Sequence, residues 1–171
     1  DTEWVQQHLD DDGIRIVDLS TVLSGPLATA LCADQGASVV KVEPPAAPDL
    51  TRQVGTRRAG LTAMYLLANR GKRSLVLDLR QPAGIEVLRR LVARSDVLVQ
   101  NFRPGVVDRM GLGWTALHEL NPNLVMASIS GFGSTGPFQH RPAFDPIIQS
   151  YCGYPVIQAD ADGTPRLMKT I

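Results

Sequence analysis

The sequence predicts an α/β domain with an open, mainly parallel sheet and helices on both of its faces. Short apolar stretches, rich in β-branched residues and bounded by turn residues, have the pattern of buried strands. Helical stretches separate these strands, and strands that alternate with helices form parallel sheets through right-handed crossovers. The predicted strands are residues 14–19, 38–43, 75–79, 97–100 and 124–129.

Boundary residues place the predicted helices. Pro26 suits the first position of the helix after the first strand, because its missing N–H costs nothing there, and Gly36 suits the position just past the helix end. Pro82 is placed in the same way at the start of a helix that reaches Ser95. Shorter helices are predicted at residues 1–11, 61–68, 104–110, 114–120 and 144–151, with a mobile basic loop at residues 49–60 and a turn with a hairpin after Tyr154.

The composition is that of an ordinary globular protein, and it argues against two classes of function. The 171 residues are enough for one domain with a hydrophobic core. Basic and acidic residues cancel at 17 each and only 5% of the residues are aromatic, so the surplus charge and stacking surface of a nucleic-acid-binding protein are missing. No apolar run is long enough to cross a bilayer, and the N-terminus lacks the layout of a signal peptide. We therefore expect a cytoplasmic protein that binds neither nucleic acid nor membrane.

The cysteines and histidines predict no metal centre. Cys32 and Cys152 are far apart and fit no metal or redox spacing. Cys32 lies in an apolar helical stretch, where we expect a buried, reduced thiol. The three histidines are scattered over different elements and are expected on the surface: His8, His118 and His140.

The third and fourth predicted strands form a βαβ unit with a polar, basic loop after each strand. In open parallel sheets, ligands bind outside the carboxyl ends of the strands. Asp78 and Arg80 lie at the carboxyl end of one strand, and Asn101 and Arg103 follow the next. Between these two, Phe102 is either a core residue or a flat platform for a purine. Asn101 either caps the following helix or hydrogen-bonds a ligand.

Four basic residues lie around the third predicted strand: Arg70, Lys72, Arg73 and Arg80. Taken alone, such a group is a solvated surface cluster. Its position beside the carboxyl end of a strand also allows a phosphate-binding site, because the fork of an arginine matches phosphate oxygens.

The loop at residues 21–26, between the first strand and its helix, is a candidate anion site, since helix N-termini favour negative charge. With Glu43 at the end of the next strand, it has the outline of a dinucleotide site. The glycine fingerprint of such sites is absent, and Pro26 removes a backbone donor. A simple βα turn capped by Ser24 is an equal alternative.

Glycines near the fifth strand form the last candidate. Residues 128–133 end that strand with two glycines, which permit close approach of a ligand to the backbone. Residues 141–145 follow and end in Asp145, which is either a ligand contact or the N-cap of a helix.

Together these segments resemble the family III CoA-transferases, the group that contains formyl-CoA transferase and carnitine CoA-transferase. The similar segments run in order from about Gly13 to the end of the chain, and their number makes the resemblance specific. They are residues 14–19 with 25–26, 36–43, 69–74, 77–79, 101–105, 120–122, 128–133, 136–137 and 141–145.

The resemblance implies a Rossmann-like large domain that binds coenzyme A, and two chains interlocked as a homodimer. It implies transfer of CoA between an acyl-CoA and a carboxylic acid, with CoA or acyl-CoA as a substrate and no metal. The candidate CoA-binding residues, from the resemblance and from the strand-end pattern, are Val22, Leu23, Ser24, Arg73, Leu77, Asp78, Leu79, Arg80, Asn101, Phe102, Arg103, Arg109, Arg141 and Asp145.

Two features depart from the family pattern. Pro44 stands where relatives place an arginine after the second strand, so Arg52 or Arg57 would have to hold that phosphate of CoA. The family's nucleophilic aspartate, which carries the acyl group as a mixed anhydride and then CoA as a thioester, is expected just past Ile171. We therefore expect residues 1–171 to be the N-terminal part of the CoA-binding large domain, without a catalytic residue and inactive alone. The small domain and the returning C-terminal segment would lie outside this chain.

Three alternatives stay open from the sequence. A 2-methylacyl-CoA racemase-like branch shares the fold but needs a histidine directly before the aspartate matched by Asp145, where this chain has Phe144. A non-catalytic CoA-binding or assembly module fits a chain without a nucleophile. An NAD-dependent oxidoreductase domain fits the βαβ pattern and Glu43, but it lacks the glycine fingerprint.

Overall fold

A five-stranded parallel sheet is the centre of the computed structural model, which describes residues 13–46 and 48–167. The described strands are β1 (Arg15–Asp18), β2 (Ser38–Glu43), β3 (Arg57–Arg58), β4 (Leu61–Thr62), β5 (Arg73–Val76), β6 (Val97–Gln100) and β7 (Val125–Ser128). The sheet has the order β5-β2-β1-β6-β7, and all its neighbouring pairs are parallel. The predicted mainly parallel α/β architecture is confirmed.

The described helices are α1 (Ser24–Asp34), α2 (Ala63–Asn69), α3 (Pro82–Val92), α4 (Val106–Arg109), α5 (Trp114–Leu120), α6 (Asp145–Tyr151) and α7 (Tyr154–Ile157). None of these helices is long and apolar enough to cross a bilayer. The helix predicted at residues 1–11 lies outside the described residues.

Gly36 follows the end of α1 with a φ of 97°, as predicted, whereas Pro26 is the third residue of α1. Its missing N–H is harmless there too, since the first four N–H groups of a helix have no partner within it.

The third strand of the chain's parallel sheet lies earlier than the predicted residues 75–79. In the structure β5 begins at Arg73 and ends at Val76, whose partner on β2 is Glu43. Pro44 follows Glu43 and has no N–H to continue the ladder, so the pairing stops there. Leu77 makes one last backbone hydrogen bond, to the Glu43 carbonyl at 3.0 Å, and the chain then leaves the sheet.

Residues 49–60, predicted as a mobile loop, contain regular structure. A single 3-10 turn, Leu50–Arg52, is capped by the Asp49 carboxylate, which accepts a hydrogen bond from the Thr51 N–H. A two-stranded antiparallel hairpin, β3 and β4, follows it. After Tyr154 the chain forms the short helix α7 and then the predicted turn, in which the Gly163 N–H donates to the Asp160 carbonyl at 2.8 Å. The predicted hairpin strands are not found among the described residues. The turn at Leu50–Arg52 was not predicted because it is held by a side-chain cap, and such a cap leaves no periodic pattern of hydrophobic residues.

The two faces of the sheet are buried differently. The main hydrophobic core contains Val17, Val40 and Leu98 from the strands and Leu88 and Leu117 from α3 and α5. The opposite face carries a smaller core. It consists of the buried strand residues Ile16, Val39 and Val99, with Ala33 of α1 packed against them. Helices therefore cover both faces, as predicted.

Side chains alternate between the faces of a strand, so residues 16 and 18 of β1 share the α1 face with residues 39, 41 and 43 of β2. This face is apolar at the amino end of the strands and charged at the carboxyl end, where Asp18, Lys41 and Glu43 are all buried. Buried charges need partners. The carboxyl end of the sheet is thus a polar centre inside the fold.

Cys32, predicted to be buried, is exposed in the structure, and so is Cys152. The buried side of α1 is formed by Gly25, Pro26, Thr29 and Ala30. The stripe continues at Ala33, which is four residues after Thr29 and packs against the smaller core, so Cys32 lies at the edge of the stripe and is exposed to solvent.

The chain divides into two compact units, one ending at Ile129 and one starting at Ser130. The sheet belongs to the first unit. The second unit contains α6 and α7 and a cluster of three aromatic rings: Phe132, Phe138 and Tyr151, with centroids 5.2–5.8 Å apart.

Candidate functional site

The loop between β1 and α1 is held by side chains from three other segments. Lys41 Nζ donates to the Ser20 carbonyl at 2.8 Å. The Asn101 carboxamide takes both backbone groups of Thr21, accepting from its N–H at 2.9 Å and donating to its carbonyl at 2.7 Å. The third is Asp49, whose Oδ1 accepts from the Val22 N–H at 3.1 Å. The loop therefore has a fixed shape before any ligand arrives.

Val22 is the conformationally unusual residue of this loop. Its φ is 70°, in the left-handed region that β-branched residues avoid. Its side chain is only half-buried. Left-handed non-glycine residues persist only where the surroundings over-determine them, and they concentrate at functional sites. Val22 thus supports a functional role for the loop.

Asp18 stabilises the start of the loop through hydrogen bonds to Ser20. This fully buried carboxylate accepts hydrogen bonds from the N–H and the hydroxyl of Ser20 and from Thr29 Oγ1 at 2.8 Å. Its Oδ2 also forms an ion pair with Lys72 Nζ at 2.8 Å. Gly25 completes the packing, since a Cβ at this position would clash with the Ser20 hydroxyl. The start of α1 and the end of β1 are therefore one rigid piece.

Lys72 was predicted to belong to a basic surface or phosphate cluster, and the structure shows that it does not. Its side chain is 2% exposed, and Nζ donates to Asp18, to the Pro26 carbonyl at 2.7 Å and to Asn69 Oδ1 at 3.0 Å. Burial lowers the pKa of Lys72, and the charge of Asp18 only partly opposes that shift. With its three donors used inside the fold, Lys72 joins β1, α1 and α2.

The remaining basic residues of that set are also separated. Arg70 pairs with Asp34 on the surface. Arg73 is the first residue of β5, and its guanidinium contacts the hydroxyl of Ser38, the first residue of β2. Arg73 therefore lies at the amino end of the sheet, away from the carboxyl-end loops. Of the four predicted residues, only Arg80 follows the end of a strand.

Glu43 and Arg52 form a second buried polar cluster beside the loop, together with Tyr65. Arg52 donates from Nε to Glu43 Oε1 at 2.9 Å and from Nη2 to Oε2 at 2.6 Å. Its guanidinium carbon lies 3.8 Å from the centroid of the Tyr65 ring. Glu43 also accepts from the Asp49 N–H at 3.0 Å and from the Tyr65 hydroxyl at 3.2 Å.

The pKa values in this cluster follow from burial and charge. Burial alone would raise the pKa of Glu43, but the hydrogen bonds from Arg52 and Asp49, with the nearby cations, together lower it. The Glu43 hydrogen bond raises the pKa of Arg52. Burial, followed by the charge of Glu43, raises the pKa of Tyr65 to about 12. Glu43 and Arg52 are thus both ionised at neutral pH and bound to each other.

This cluster bears on two sequence-based expectations. A dinucleotide site would need a Glu43 carboxylate that is free for a ribose, yet both of its oxygens are engaged and the residue is 3% exposed. The two arginines considered for a phosphate of CoA, Arg52 and Arg57, also differ in whether their guanidinium groups are available. Arg52 is engaged by Glu43, whereas Arg57 is exposed on β3. The geometry leaves Arg57 as the available candidate.

The loop after β5 brings Asp78 and Arg80 together. Arg80 donates from its backbone N–H, at 3.1 Å, and from Nε, at 2.8 Å, to Asp78 Oδ1, and from Nη2 to Oδ2 at 3.0 Å. These hydrogen bonds lower the pKa of Asp78 and raise that of Arg80. Leu77 and Leu79 of the same loop pack against the main core. The Arg80 side chain is 74% exposed and is held by Asp78, on a loop that Leu77 and Leu79 attach to the core.

Gly84, in the first turn of α3, is needed for this arrangement and was not singled out from the sequence. A Cβ at Gly84 would overlap the carbonyl oxygen of Asp78. The signal was available, because glycine inside a helical pattern costs stability and therefore marks a close backbone approach.

After β6, the residues predicted as ligand contacts have mixed roles. Asn101 does not cap a helix. Its carboxamide instead forms two hydrogen bonds with the backbone of Thr21. The residue before α4 is Gly105, with a φ of 80°. Phe102 is half-buried against the main core, and its N–H donates to Gln100 Oε1 at 2.8 Å. Arg103 and Arg109 are exposed.

Arg141 and Asp145 belong to the second unit. The Arg141 guanidinium lies 4.4 Å from the centroid of the Phe138 ring and donates to the Tyr151 hydroxyl. Asp145 is the first residue of α6 rather than its N-cap, which is Phe144, and its carboxylate accepts from Gln149 Nε2 at 2.5 Å. A Cβ at Gly131 would overlap Ala143, so the glycine allows two segments of this unit to touch.

The described residues contain no group of three or more histidine, cysteine or acidic side chains arranged to hold a metal ion. His118 stacks on Trp114 along α5, with ring centroids 4.6 Å apart, and His140 is exposed. His8 lies outside the described residues.

Lys41 and Asp49 were not predicted as important, although a lysine at a buried position of an apolar strand was a usable signal.

Comparisons with known proteins identify the family of this chain and agree with its fold. The sequence profile of CoA-transferase family III matches residues 12–171. The chain therefore belongs to CoA-transferase family III. It is 42% identical over 154 residues to the acetyl-CoA:oxalate CoA-transferase of Acetobacter aceti, covering 90% of this chain and 40% of that protein.

A second relative, the succinyl-CoA–L-malate CoA-transferase beta subunit of Chloroflexus aurantiacus, is 42% identical over 90% of this chain and 38% of its own length. Among solved structures, a CAIB/BAIF family protein from Brucella suis superposes with a TM-score of 0.86 at 38% identity. That alignment covers 93% of this chain and 43% of the other. The chain thus spans about two fifths of the length of the relatives it matches.

Proposed function

We propose that this chain is the CoA-binding part of an acyl-CoA:carboxylate CoA-transferase. The single observation that carries the proposal is the fixed loop after β1, with a left-handed Val22, in a chain of CoA-transferase family III. Loops at the carboxyl ends of parallel strands are where such sheets bind ligands. A loop whose conformation is set in advance binds with less loss of entropy.

Coenzyme A would lie along three loops of the carboxyl edge. Residues 22–24 would meet the ligand with backbone groups. Arg80 and Arg103 would pair with phosphate oxygens, because arginine forms charge-assisted bonds with them. Phe102, which is half-buried on the loop after β6, would offer coenzyme A an apolar surface. Arg109, Arg141 and Asp145 stay in the proposal on the strength of the family resemblance.

The chemistry we propose is exchange through a covalent intermediate on an aspartate, expected just past Ile171. Its carboxylate attacks the donor thioester, which gives a mixed anhydride and releases the CoA thiolate. The thiolate attacks the aspartyl carbonyl, which gives an aspartyl thioester and releases the donor acid. The acceptor carboxylate repeats these two steps in reverse, so acyl-CoA forms and the aspartate is regenerated. Each of these four steps is easier than the direct exchange.

The names of the relatives suggest the kind of substrate. The Acetobacter protein is named for acetyl-CoA and oxalate, and the Chloroflexus protein for succinyl-CoA and L-malate. We propose a short acyl-CoA donor and a small carboxylic acid acceptor for the whole protein. We also propose a homodimer, with this chain alone inactive and with no resident metal.

The experiment uses the natural protein at its full length. Titration with coenzyme A is followed by calorimetry, with NAD as a competitor that should have no effect. Donor thioesters (acetyl-CoA and succinyl-CoA) are then paired with oxalate and malate, and new acyl-CoA is measured by mass spectrometry. Binding of CoA together with acyl exchange supports the proposal. NAD binding without CoA binding would contradict it, and CoA binding without exchange would favour a binding module.

A further inference from the structure

The shape of the loop after β1 depends on residues outside the predicted site. Val22 has a φ of 70°, and left-handed backbone is unfavourable for a β-branched residue. A conformation of this kind needs a partner that stabilises it. The Val22 N–H has one, since it donates to Asp49 Oδ1 at 3.1 Å.

Asp49 is itself fixed from several sides. It is 1% exposed, and its Oδ1 also accepts from the Thr51 N–H at 3.0 Å and from the Thr51 hydroxyl at 2.8 Å. Its backbone N–H donates to Glu43 Oε1 at 3.0 Å. The carboxylate therefore has little freedom to follow Val22 if the loop changes shape. The loop has to follow the carboxylate instead.

Lys41 connects the two sides of this arrangement. Its Nζ lies 3.0 Å from Asp49 Oδ2 and donates to the Ser20 carbonyl at 2.8 Å. Both side chains of the pair are at most 1% exposed. One buried ion pair thus touches the loop at Ser20 through the lysine and at Val22 through the aspartate.

We propose that Asp49 is a positioning residue for coenzyme A binding, whose carboxylate, placed by Lys41, keeps Val22 left-handed and so gives residues 22–24 the shape that the ligand meets. The inference rests on the proposed function, because it assumes that coenzyme A contacts this loop. It adds a residue that contacts the loop and not the ligand.

The test is a double-mutant cycle in the full-length protein, with coenzyme A as the probe. Glycine adopts a positive φ freely, so a chain with Val22→Gly should no longer depend on Asp49 for its loop shape. We expect Asp49→Asn to raise the Kd for coenzyme A roughly tenfold when valine is kept at position 22. The same change should raise it less than about threefold when it is combined with Val22→Gly. Asp162→Asn, the same chemical change on an exposed turn, should leave the Kd unchanged.

Two results would overturn the inference. One is an equal effect of Asp49→Asn with and without Val22→Gly, which would make Asp49 a general structural residue. The other is an unchanged Kd in the single variant. A merely structural aspartate lowers the unfolding temperature in both backgrounds but gives no rescue of affinity by Val22→Gly, so the affinity cycle separates the two roles.

Asp49→Asn could fail to fold, since it leaves Lys41 without its counter-charge. A second comparison then decides, with the native Asp49 in place. Val22→Ala still requires a left-handed non-glycine residue, whereas Val22→Gly does not, so the glycine variant should unfold at the higher temperature. The reverse order would overturn the inference. These unfolding measurements need no ligand, so they still test the left-handed backbone of residue 22, on which the inference depends, if the unmodified protein binds no coenzyme A and the proposed function itself fails.

Discussion

The guanidinium of Arg52 donates two hydrogen bonds to the carboxylate of Glu43, at 2.9 and 2.6 Å. Glu43 also accepts from the backbone N–H of Asp49, whose carboxylate contacts Val22. Glu43 is 3% exposed, whereas the Arg52 side chain is 28% exposed. The acid is therefore the member of the pair that depends on its partner, because a buried charge without a counter-charge is costly.

Arg52→Ala should lower the free energy of unfolding by about 2–3 kcal/mol, since it removes charge-assisted hydrogen bonds and leaves Glu43 buried and unpaired. The measurement is urea denaturation at neutral pH. Arg90→Ala, an exposed arginine on α3, is the matched control and should change stability by less than about 0.5 kcal/mol. Adding Glu43→Gln to Arg52→Ala should recover part of the loss; no recovery would argue against an unpaired charge as the cause.

Tyr65 should make the protein less stable in alkali. Its pKa is raised to about 12 from 10.0, so the folded state holds the phenol proton more tightly than the unfolded state. The stabilising contribution is complete below pH 10 and is lost as the pH rises towards 12. Two pKa units correspond to at most about 2–3 kcal/mol.

The check on Tyr65 is the difference in unfolding free energy between the wild type and Tyr65→Phe, measured from neutral to alkaline pH. Taking the difference removes the contributions of other groups, including Lys72, whose lowered pKa makes stability rise with pH only up to its ordinary value of 10.5. The difference should shrink as the pH passes 10. A difference that stays constant would show that the tyrosine is not protected from ionisation.

Gly84→Ala should be destabilising despite the higher helix propensity of alanine. The new Cβ would overlap the Asp78 carbonyl oxygen, which belongs to the backbone and cannot rotate away. We expect a loss of about 1–3 kcal/mol from overpacking, with a weaker affinity for coenzyme A because the loop that carries Arg80 moves. Ala83→Ser, at the exposed neighbouring position, is the control. Stability above that of the wild type after Gly84→Ala would contradict the close contact.

Arg80→Ala and Arg109→Ala should each raise the Kd for coenzyme A roughly tenfold or more, because a charge-assisted bond to phosphate is lost in each. Asp162→Ala should leave the Kd unchanged, since Asp162 accepts from the Thr164 N–H in an exposed turn. Calorimetric titration of the full-length protein measures all three. Equal effects from the three variants would refute the assignment of the site.

The positions of some candidate site residues could be predicted from the sequence because their signal is local. Arg80 and Asn101 follow apolar strands, and the ends of parallel strands meet at one edge of a sheet. The roles of others could not be predicted. Lys72 and Arg73 are neighbours in a basic stretch. Lys72 is buried and paired with Asp18, whereas Arg73 lies at the amino end of β5. Side chains that alternate in direction along an extended chain separate such neighbours, and charge alone does not reveal it.

The order of strands and helices was determined by the sequence itself, because hydrophobic periodicity and turn residues act over a few positions. The tertiary structure alone decided which charges pair. Lys41 meets both Asp49 and Ser20 only because β2 lies beside β1 in the sheet. Asp49 accepts from the Val22 N–H only because the chain after β2 returns to the loop after β1. Such partners are far apart along the chain and have no local pattern, so their pairing exists only once the sheet has formed.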